Sequence, residues 1–395
     1  MSAARPRLVW LIAGEESGDQ LGAKLMRALK GQLGADGVTF GGVGGHAMEG
    51  EGLRSVFPLT DIAVMGLVHV VARLPSLLRR ASAAVAAAVA ARPDILIIID
   101  APDFTHVVAR RVRRKLPELP IINYVSPTVW AWRPWRARKM RPYVDHILAI
   151  KPFEPEALRR LGGPACTYIG HPLVERMGEL RPRPGERRPI GEDPLELLVL
   201  PGSRRSEIVR LMEPFGAALG EVIPQLGRPV SLTLPAVPHL ADEIEARSRD
   251  WPVQPRIVLG EAAKYAGFRR AHAALAASGT VTLELGLAGV PMVVAYKVSW
   301  IEAQIGRLIV VPSFVLTNLV LGDRTVPEFM QDDCTPENLA AGLRPLLADT
   351  PQRRVQVDAF HRLEDLMRID EHSPSARAAR IVTEILQGHS SAPSS

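Results

Sequence analysis

Two doubly wound, Rossmann-like α/β domains facing a cleft are what this sequence predicts. Three observations carry that expectation. Short β-rich runs alternate with helical patterns along the chain. The run ILIII at 95–99 is apolar without interruption, as expected of a parallel strand covered by helices on both faces. The alternation stops at a proline-rich stretch, MGELRPRPGERRPIGEDP at 177–194, and then restarts. At 395 residues the chain is also too long for one ordinary core.

In the first half, strands are expected at Leu8–Ala13, Val38–Val43, Ile95–Ile99, Ile121–Val125 and His146–Ile150, and helices near 18–31, 71–91, 104–115 and 153–161. After the linker, strands are expected at Leu195–Leu200, Val230–Leu234, Ile257–Leu259, Ala273–Ala277 and Met292–Tyr296, with helices between them. Three helices close the chain near 336–348, 351–368 and 375–387. This gives an amino-terminal domain at 1–176, a linker at 177–194, a second domain at 195–350, helices at 351–387 and a disordered tail at 388–395.

A hydrophobic content of 47% and a charged content of 23% are those of a globular protein. The net charge of +6 favours anionic partners and says nothing of fold. Cys166 and Cys334 stand far apart, in no metal-ligand spacing, which fits a reducing cytoplasm. Residues 1–6 do not read as a signal peptide. The longest apolar stretch, Ala81–Ala91, is shorter than the roughly 20 residues that span a bilayer. The expectation is a soluble or peripheral protein.

Four turns carry chemistry. LVWLIAGEESGDQLG is a strand, a tight turn and a helix start, where Gly14 and Gly18 admit a close approach and Ser17 or Asp19 can cap the helix. Capping does not explain Glu15 and Glu16, two carboxylates at the strand's carboxyl end, where open α/β sheets bind ligands. ILIIIDAPDF puts Asp100 at the end of a buried strand, as a cleft carboxylate or a turn residue, and Asp103 in the first helical turn, where it complements the dipole. LLVLPGSRRSEI delivers Gly202, Ser203, Arg204 and Arg205 to a helix start, suited to a phosphate or merely solvated. AASGTVTLELGLAG offers Ser278, Gly279 and Thr280, followed by Glu284, which can grip ribose hydroxyls or face solvent.

FGGVGGHA at 40–47 fits a dinucleotide fingerprint loosely and reads better as a glycine-rich turn, because it follows the second strand. VLTNLVLGDRTVPEFMQDD, with Asn318, Glu328 and Gln331, reads as a polar loop. Metalloprotease, zinc, nucleophile-elbow and calcium-loop patterns are absent, so no catalytic metal and no cofactor are expected. YVSPTVWAWRPWRARKMRPYVD at 124–145 concentrates Trp130, Trp132 and Trp135 with Arg133, Arg136, Arg138, Lys139 and Arg141. Nucleic acid, an anionic lipid surface and a phosphorylated substrate all fit that stretch.

In order, AGEESGDQLGA, AVMGLV, IDAPDF, YVSPTVWAWR, IGHPL, LPGSRRSEI, ASGTVTLE and TNLVLG resemble the lipid-A-disaccharide synthases over residues 8 to about 340. These are glycosyltransferases of the two-domain GT-B type. The resemblance implies that a UDP-activated 2,3-diacylglucosamine passes to the 6-hydroxyl of 2,3-diacylglucosamine 1-phosphate, with inversion and release of UDP. It places the enzyme peripherally on the cytoplasmic face of a Gram-negative inner membrane, with a homodimer as a compatible assembly and nucleic acid not a partner. Asp100 is then the candidate base, with Glu15 beside it; the family has a smaller residue at position 16, so Glu16 is set aside.

The resemblance assigns substrate contacts to Gly14, Ser17, Asp103, Ser126, Trp130, Trp132, Arg133 and His171. It assigns others to Gly202, Ser203, Arg204, Ser278, Gly279, Thr280, Glu284, Asn318, Glu328 and Gln331. In IAVMGLVHVVARLPSLLRR at 62–80, Val64, Met65, Leu67, Val68, Val71, Leu74, Leu77 and Leu78 beside Arg73, Arg79 and Arg80 read as an interfacial element in contact with acyl chains or membrane, or as core. The nearest rivals are a UDP-N-acetylglucosamine epimerase or a peptidoglycan-type transferase, which would not need that apolar segment. A single-stranded nucleic-acid binder is the rival of another class.

Overall fold

The computed structural model describes residues 5–62, 67–306, 311–369 and 373–390. The chain divides into two units. Unit 1 runs up to Pro172 and takes the chain back from Ile369; unit 2 is Leu173–Arg368.

Seven parallel strands form the sheet of unit 1: β1 (Arg7–Ala13), β2 (Val38–Val43), β3 (Arg54–Ser55), β4 (Ile95–Ile99), β5 (Ile121–Tyr124), β6 (His146–Ala149) and β7 (Ala165–Tyr168). They lie in the order β3-β2-β1-β4-β5-β6-β7. Helices α1 (Glu16–Leu33), α2 (His46–Gly50), α3 (Leu67–Ala91), α4 (Pro102–Lys115), α5 (Arg136–Met140) and α6 (Glu154–Arg160) connect them.

Strand alternation sorts the core of unit 1. Val9, Leu11, Ile95 and Ile97 share one cluster with Leu25, Met26 and Leu29 of α1. Trp10, Ile12, Leu96 and Ile98 share the other with Ala81, Ala84 and Ala88 of α3 and Val108 and Val112 of α4. Ile95, Ile97, Ile98 and Ile99 are fully buried, each stabilising by roughly 1.5–3 kcal/mol.

Unit 2 opens with α7 (Met177–Leu180). Its six parallel strands are β8 (Leu195–Leu200), β9 (Val230–Ala236), β10 (Arg256–Leu259), β11 (Ala273–Ala277), β12 (Met292–Tyr296) and β13 (Glu328–Met330), in the order β10-β9-β8-β11-β12-β13. The helices are α8 (Arg205–Val222), α9 (Ala241–Arg247), α10 (Glu261–Arg270), α11 (Thr280–Leu287), α12 (Trp300–Gly306), α13 (Leu316–Leu321), α14 (Pro336–Leu343) and α15 (Pro351–Met367). The last helix, α16 (Pro374–Ser390), returns to unit 1, where Ala379, Val382 and Leu386 complete the core over α1.

The ten strands expected from the sequence are present within two residues at each end. Three short ones, β3, β7 and β13, were not expected, and the loop around Asn318 and Glu328 is α13 followed by β13. The proline-rich stretch belongs to unit 2 and is held there by Arg187. That guanidinium donates to the carbonyls of Phe268, Arg269, Ala288 and Gly289, and burial draws its pKa down to about 10. The boundary therefore falls at Pro172, and the three carboxyl-terminal helices are shared between the units.

Both sheets reverse direction beside their first strand, between β1 and β4 in unit 1 and between β8 and β11 in unit 2. Ala13 lies beside Ile99, and Leu200 beside Ala276. The turns after those paired strands are therefore neighbours, at the topological switch point where open α/β sheets hold ligands.

Candidate active site

In unit 1 the switch point joins the Gly14–Ser17 turn to the Asp100–Asp103 turn. Asp100 and Ala101 have φ of +52° and +41°, two successive non-glycine residues in the left-handed region. Each costs on the order of 1–3 kcal/mol, and such strain collects at functional sites. A Cβ on Gly14 would lie 2.1 Å from that of Ala101, so the two turns fit together only with glycine there.

The Asp100 carboxylate accepts the Ala101 N–H at 2.9 Å and the Ser17 hydroxyl at 3.4 Å. Its carbonyl accepts the Thr105 hydroxyl at 2.7 Å. No ion pair to Asp100 occurs among the described residues, and its side chain is half-buried. A carboxylate so placed can take a proton from a substrate hydroxyl. Glu15 is exposed at the start of α1.

Neither Ser17 nor Asp19 caps α1, contrary to expectation; Ser17 turns to Asp100. Asp19 is fully buried and accepts the N–H groups of Gly45, Ala47 and Met48 at 2.7, 2.9 and 3.2 Å. It ties α1 to the glycine-rich turn, which starts α2. Exposed Asp103 pairs with Arg136 at 3.0 Å.

The tryptophan stretch follows β5. Val125 is left-handed at φ +72°, and Ser126 is buried with its hydroxyl on the carbonyl of Pro127. Trp130 donates to the buried Glu154 at 3.2 Å and meets the Phe153 ring edge-on at 4.9 Å, while Glu154 also holds Lys151. Trp130 is thereby fixed inside the unit. The Arg133 guanidinium lies 4.9 Å over Trp132, and Trp135, 57% exposed, is the openly presented indole of the three. His171 is buried, and desolvation together with the charge of Lys151 holds its pKa down at about 3, so its imidazole is neutral.

Val64 and Met65 lie outside the described residues, as do the side chains of Leu67, Val68, Val71 and Leu74. Leu77 packs partly on the α3–α4 core, and Leu78 is 42% exposed.

In unit 2, Gly202, Ser203, Arg204, Ser278, Gly279, Thr280 and Glu284 line one pocket of about 550 Å³. A groove of similar volume, about 560 Å³, lies at the opposite end of unit 1's sheet beside Asp94 and Pro120, away from the carboxyl ends that hold ligands.

Among the residues of the unit 2 pocket not singled out from the sequence, two bear directly on its turns. Glu207 accepts the N–H groups of Ser203 at 2.9 Å and Arg204 at 3.1 Å, so the amides expected to be open to a phosphate are occupied by a carboxylate. Gly202, at φ +114°, leaves it room: a Cβ there would stand 2.2 Å from a Glu207 oxygen. Glutamate three residues after the cap completes a capping box, but with Arg204 in place of a serine or threonine cap SRRSE does not carry that signature. The other residue is Lys264, whose ammonium sits 2.9 and 3.1 Å from the two oxygens of Glu284. No motif surrounds it; only the fold brings α10 beside α11.

Asn318, Glu328 and Gln331 do not line this pocket. Asn318 is buried and exchanges two hydrogen bonds with the backbone of Val326. Glu328 accepts from the Ser313 hydroxyl and the Phe314 N–H, and the Phe314 carbonyl accepts the Ser278 hydroxyl at 2.7 Å. Gln331 accepts the Val298 N–H at 2.7 Å. The geometry makes these three supports of the loops behind the Ser278 turn.

A family model described as lipid-A-disaccharide synthetase matches residues 9–382. The chain is 57% identical over 384 residues to a lipid-A-disaccharide synthase of Rhodopseudomonas palustris (strain HaA2), covering 97% of each. It is 42% identical to one of Rhodospirillum centenum, covering 97% of this chain and 95% of that one. Its fold is similar to that of Acinetobacter baumannii MurG, at 15% identity and a TM-score of 0.60 over 96% of this chain and 100% of that one. A putative UDP-N-acetylglucosamine 2-epimerase from Listeria monocytogenes is as similar, at 16% identity and 0.60 over 98% of each chain. These last two share the two-unit α/β fold alone.

Proposed function

The chain belongs to the lipid-A-disaccharide synthetase family, and from that membership we propose how its two strand-end sites divide the reaction. It is an inverting glycosyltransferase. It moves 2,3-diacylglucosamine from UDP to the 6-hydroxyl of 2,3-diacylglucosamine 1-phosphate, giving lipid A disaccharide 1-phosphate and UDP. The acceptor oxygen attacks the anomeric carbon, the bond from that carbon to the diphosphate breaks, and UDP leaves with the electron pair. The hydroxyl proton goes to a base on the attacking side.

Asp100 is that base. The observation that carries this is a carboxylate held in a doubly left-handed turn at the switch point, with a serine and a backbone amide as its partners and no cation among the described residues. Glu15, at the start of α1 in the neighbouring Gly14–Ser17 turn, positions the acceptor. The donor's UDP occupies the pocket of unit 2. There Arg204 stabilises the diphosphate as charge builds on it, Ser278–Thr280 line its path, and Glu284 takes the ribose hydroxyls.

No helix among the described residues is long and apolar enough to cross a membrane. Acylated substrates still require an apolar seat. The 62–80 segment, with exposed Leu78, supplies it, and Trp135 with the arginines of α5 meets anionic headgroups or the acceptor phosphate. This is the basis for a peripheral place on the cytoplasmic face of the inner membrane, and a homodimer is compatible with it. The test is direct: purified protein given UDP-2,3-diacylglucosamine and 2,3-diacylglucosamine 1-phosphate should release UDP and form the disaccharide. UDP-N-acetylglucosamine should not replace the donor. Turnover of that sugar, which lacks the two long acyl chains, without turnover of the diacylated one would favour the epimerase or peptidoglycan-type reading.

A further inference from the structure

The pocket of unit 2 has a charge balance at odds with a diphosphate ligand: three carboxylates, Glu207, Glu261 and Glu284, line it against two cations, Arg204 and Lys264. Two of the carboxylates have structural partners. Glu207 holds the Ser203–Arg204 turn, and Glu261 pairs with Arg176. Glu284, only 8% exposed, faces Lys264 with both oxygens.

The lysine is itself held in place. Its ammonium lies 4.7 Å from the ring centre of Tyr265 and 5.7 Å from that of Phe268, so it has little freedom to swing elsewhere. Tyr265 stands 3.1 Å from Glu261 and 3.4 Å from Glu284. A phenol has one hydrogen to give, and the shorter contact takes it. Burial, and then the charge of Glu284, push the Tyr265 pKa up, so the phenol keeps that hydrogen.

The ammonium lies nearly midway between the two Glu284 oxygens and takes the convergent acceptor position of each, while the longer Tyr265 contact stands at Oε1. The outer position of Oε2 remains, which suits one hydroxyl of a ribose.

We propose that Lys264 is a positioning residue for donor binding: its ammonium orients the Glu284 carboxylate so that its remaining acceptor position meets a ribose hydroxyl of the nucleotide. This rests on the reading of the unit 2 pocket as the UDP site. A lysine that contacts the diphosphate instead would be insensitive to the ribose hydroxyls, and that difference supplies the test.

UDP and 2′,3′-dideoxy-UDP are titrated calorimetrically into the wild-type chain, Lys264→Met and Lys264→Gln. Methionine keeps an apolar stem against the two rings, glutamine is the second variant should methionine fold poorly, and thermal melting checks both. The expected result is that each variant binds UDP about tenfold more weakly, the scale of one charge-assisted hydrogen bond. Each should bind the dideoxy analogue as the wild type does, because that ligand has no hydroxyls for Glu284 to receive. Equal losses for the two nucleotides, or no loss for either, overturn the proposal while leaving the UDP site in place. A wild-type chain that binds neither nucleotide removes the UDP site itself, and this inference with it.

Discussion

Asp100 shows what a single residue contributes. Its neighbours could have been chosen to neutralise it, as Asp94 is by Arg5 and Arg7 on the same sheet, but they offer one hydroxyl and one amide. Asparagine in its place keeps the volume and the acceptor oxygen toward Ala101, and removes the capacity to take a proton. Asp100→Asn is therefore expected to lower kcat by about 10²-fold or more, the range for loss of a general base. UDP affinity should stay at the wild-type value, because the nucleotide pocket is lined by residues of unit 2 alone. Steady-state turnover and a UDP titration check the two halves; ordinary turnover removes Asp100 from the chemistry, and lost UDP binding moves it to the donor side. The base candidate was legible in the sequence because a carboxylate ending an all-apolar run has few structural reasons to be there. Lys264 was not legible, since nothing in EAAKYAGF marks one lysine on one helix as the partner of a glutamate twenty residues later.

Among elements, the coupling of α1 to α2 carries the first turn of the site. Asp19 sits in the helix that begins at Glu16 and satisfies three N–H groups at the start of the next one, so the glycine-rich turn cannot shift without exposing them. Asp19→Ala would leave those donors unpaired in a buried place. A cost of about 3 kcal/mol is expected, which for a unit of this size lowers Tm by roughly 6–12 °C. Differential scanning calorimetry of the full chain reads it directly, and a drop of less than about a degree would mean the turn is held by other contacts. Long elements were legible because they repeat their signal: β4 and β11 are apolar runs, β1 and β8 nearly so, and their ends fall where glycine, aspartate, proline or serine follows. Short ones were not. β3 has two residues and β13 three, too few for any period to show, and each exists because a neighbouring strand offers it a partner. The prolines at 177–194 pointed to a loose linker, yet Arg187 among them is bound to four carbonyls, an anchor that only the folded positions of α10 and α11 provide.

On the scale of the whole molecule, unit 1 is the part whose stability should respond most to mild acid. It buries two histidines whose pKa values are pushed well down: His106 to about 4, by desolvation and then by Arg136 and Arg110, and His171 to about 3, by desolvation and then by Lys151. In the unfolded chain each takes up a proton near pH 6.5. Between that value and the folded ones the unfolded state holds more protons, so stability rises with pH and falls as pH is lowered. Each histidine contributes a slope of about 1.4 kcal/mol per pH unit there. The lowered carboxylates of the unit, Glu51 and Glu156, act in the same direction. Their ordinary value is about 4.5, and they lose their effect only as pH falls below it through their folded values. The window from about pH 6.5 to 4.5 therefore belongs to the histidines. Urea unfolding followed at about pH 7, 6 and 5 should show the midpoint for unit 1 retreating steadily, and His106→Gln should remove part of the retreat, the rest staying with His171 and with His146, which desolvation also lowers. A midpoint that stays constant over that window would mean that neither imidazole is kept neutral by the fold.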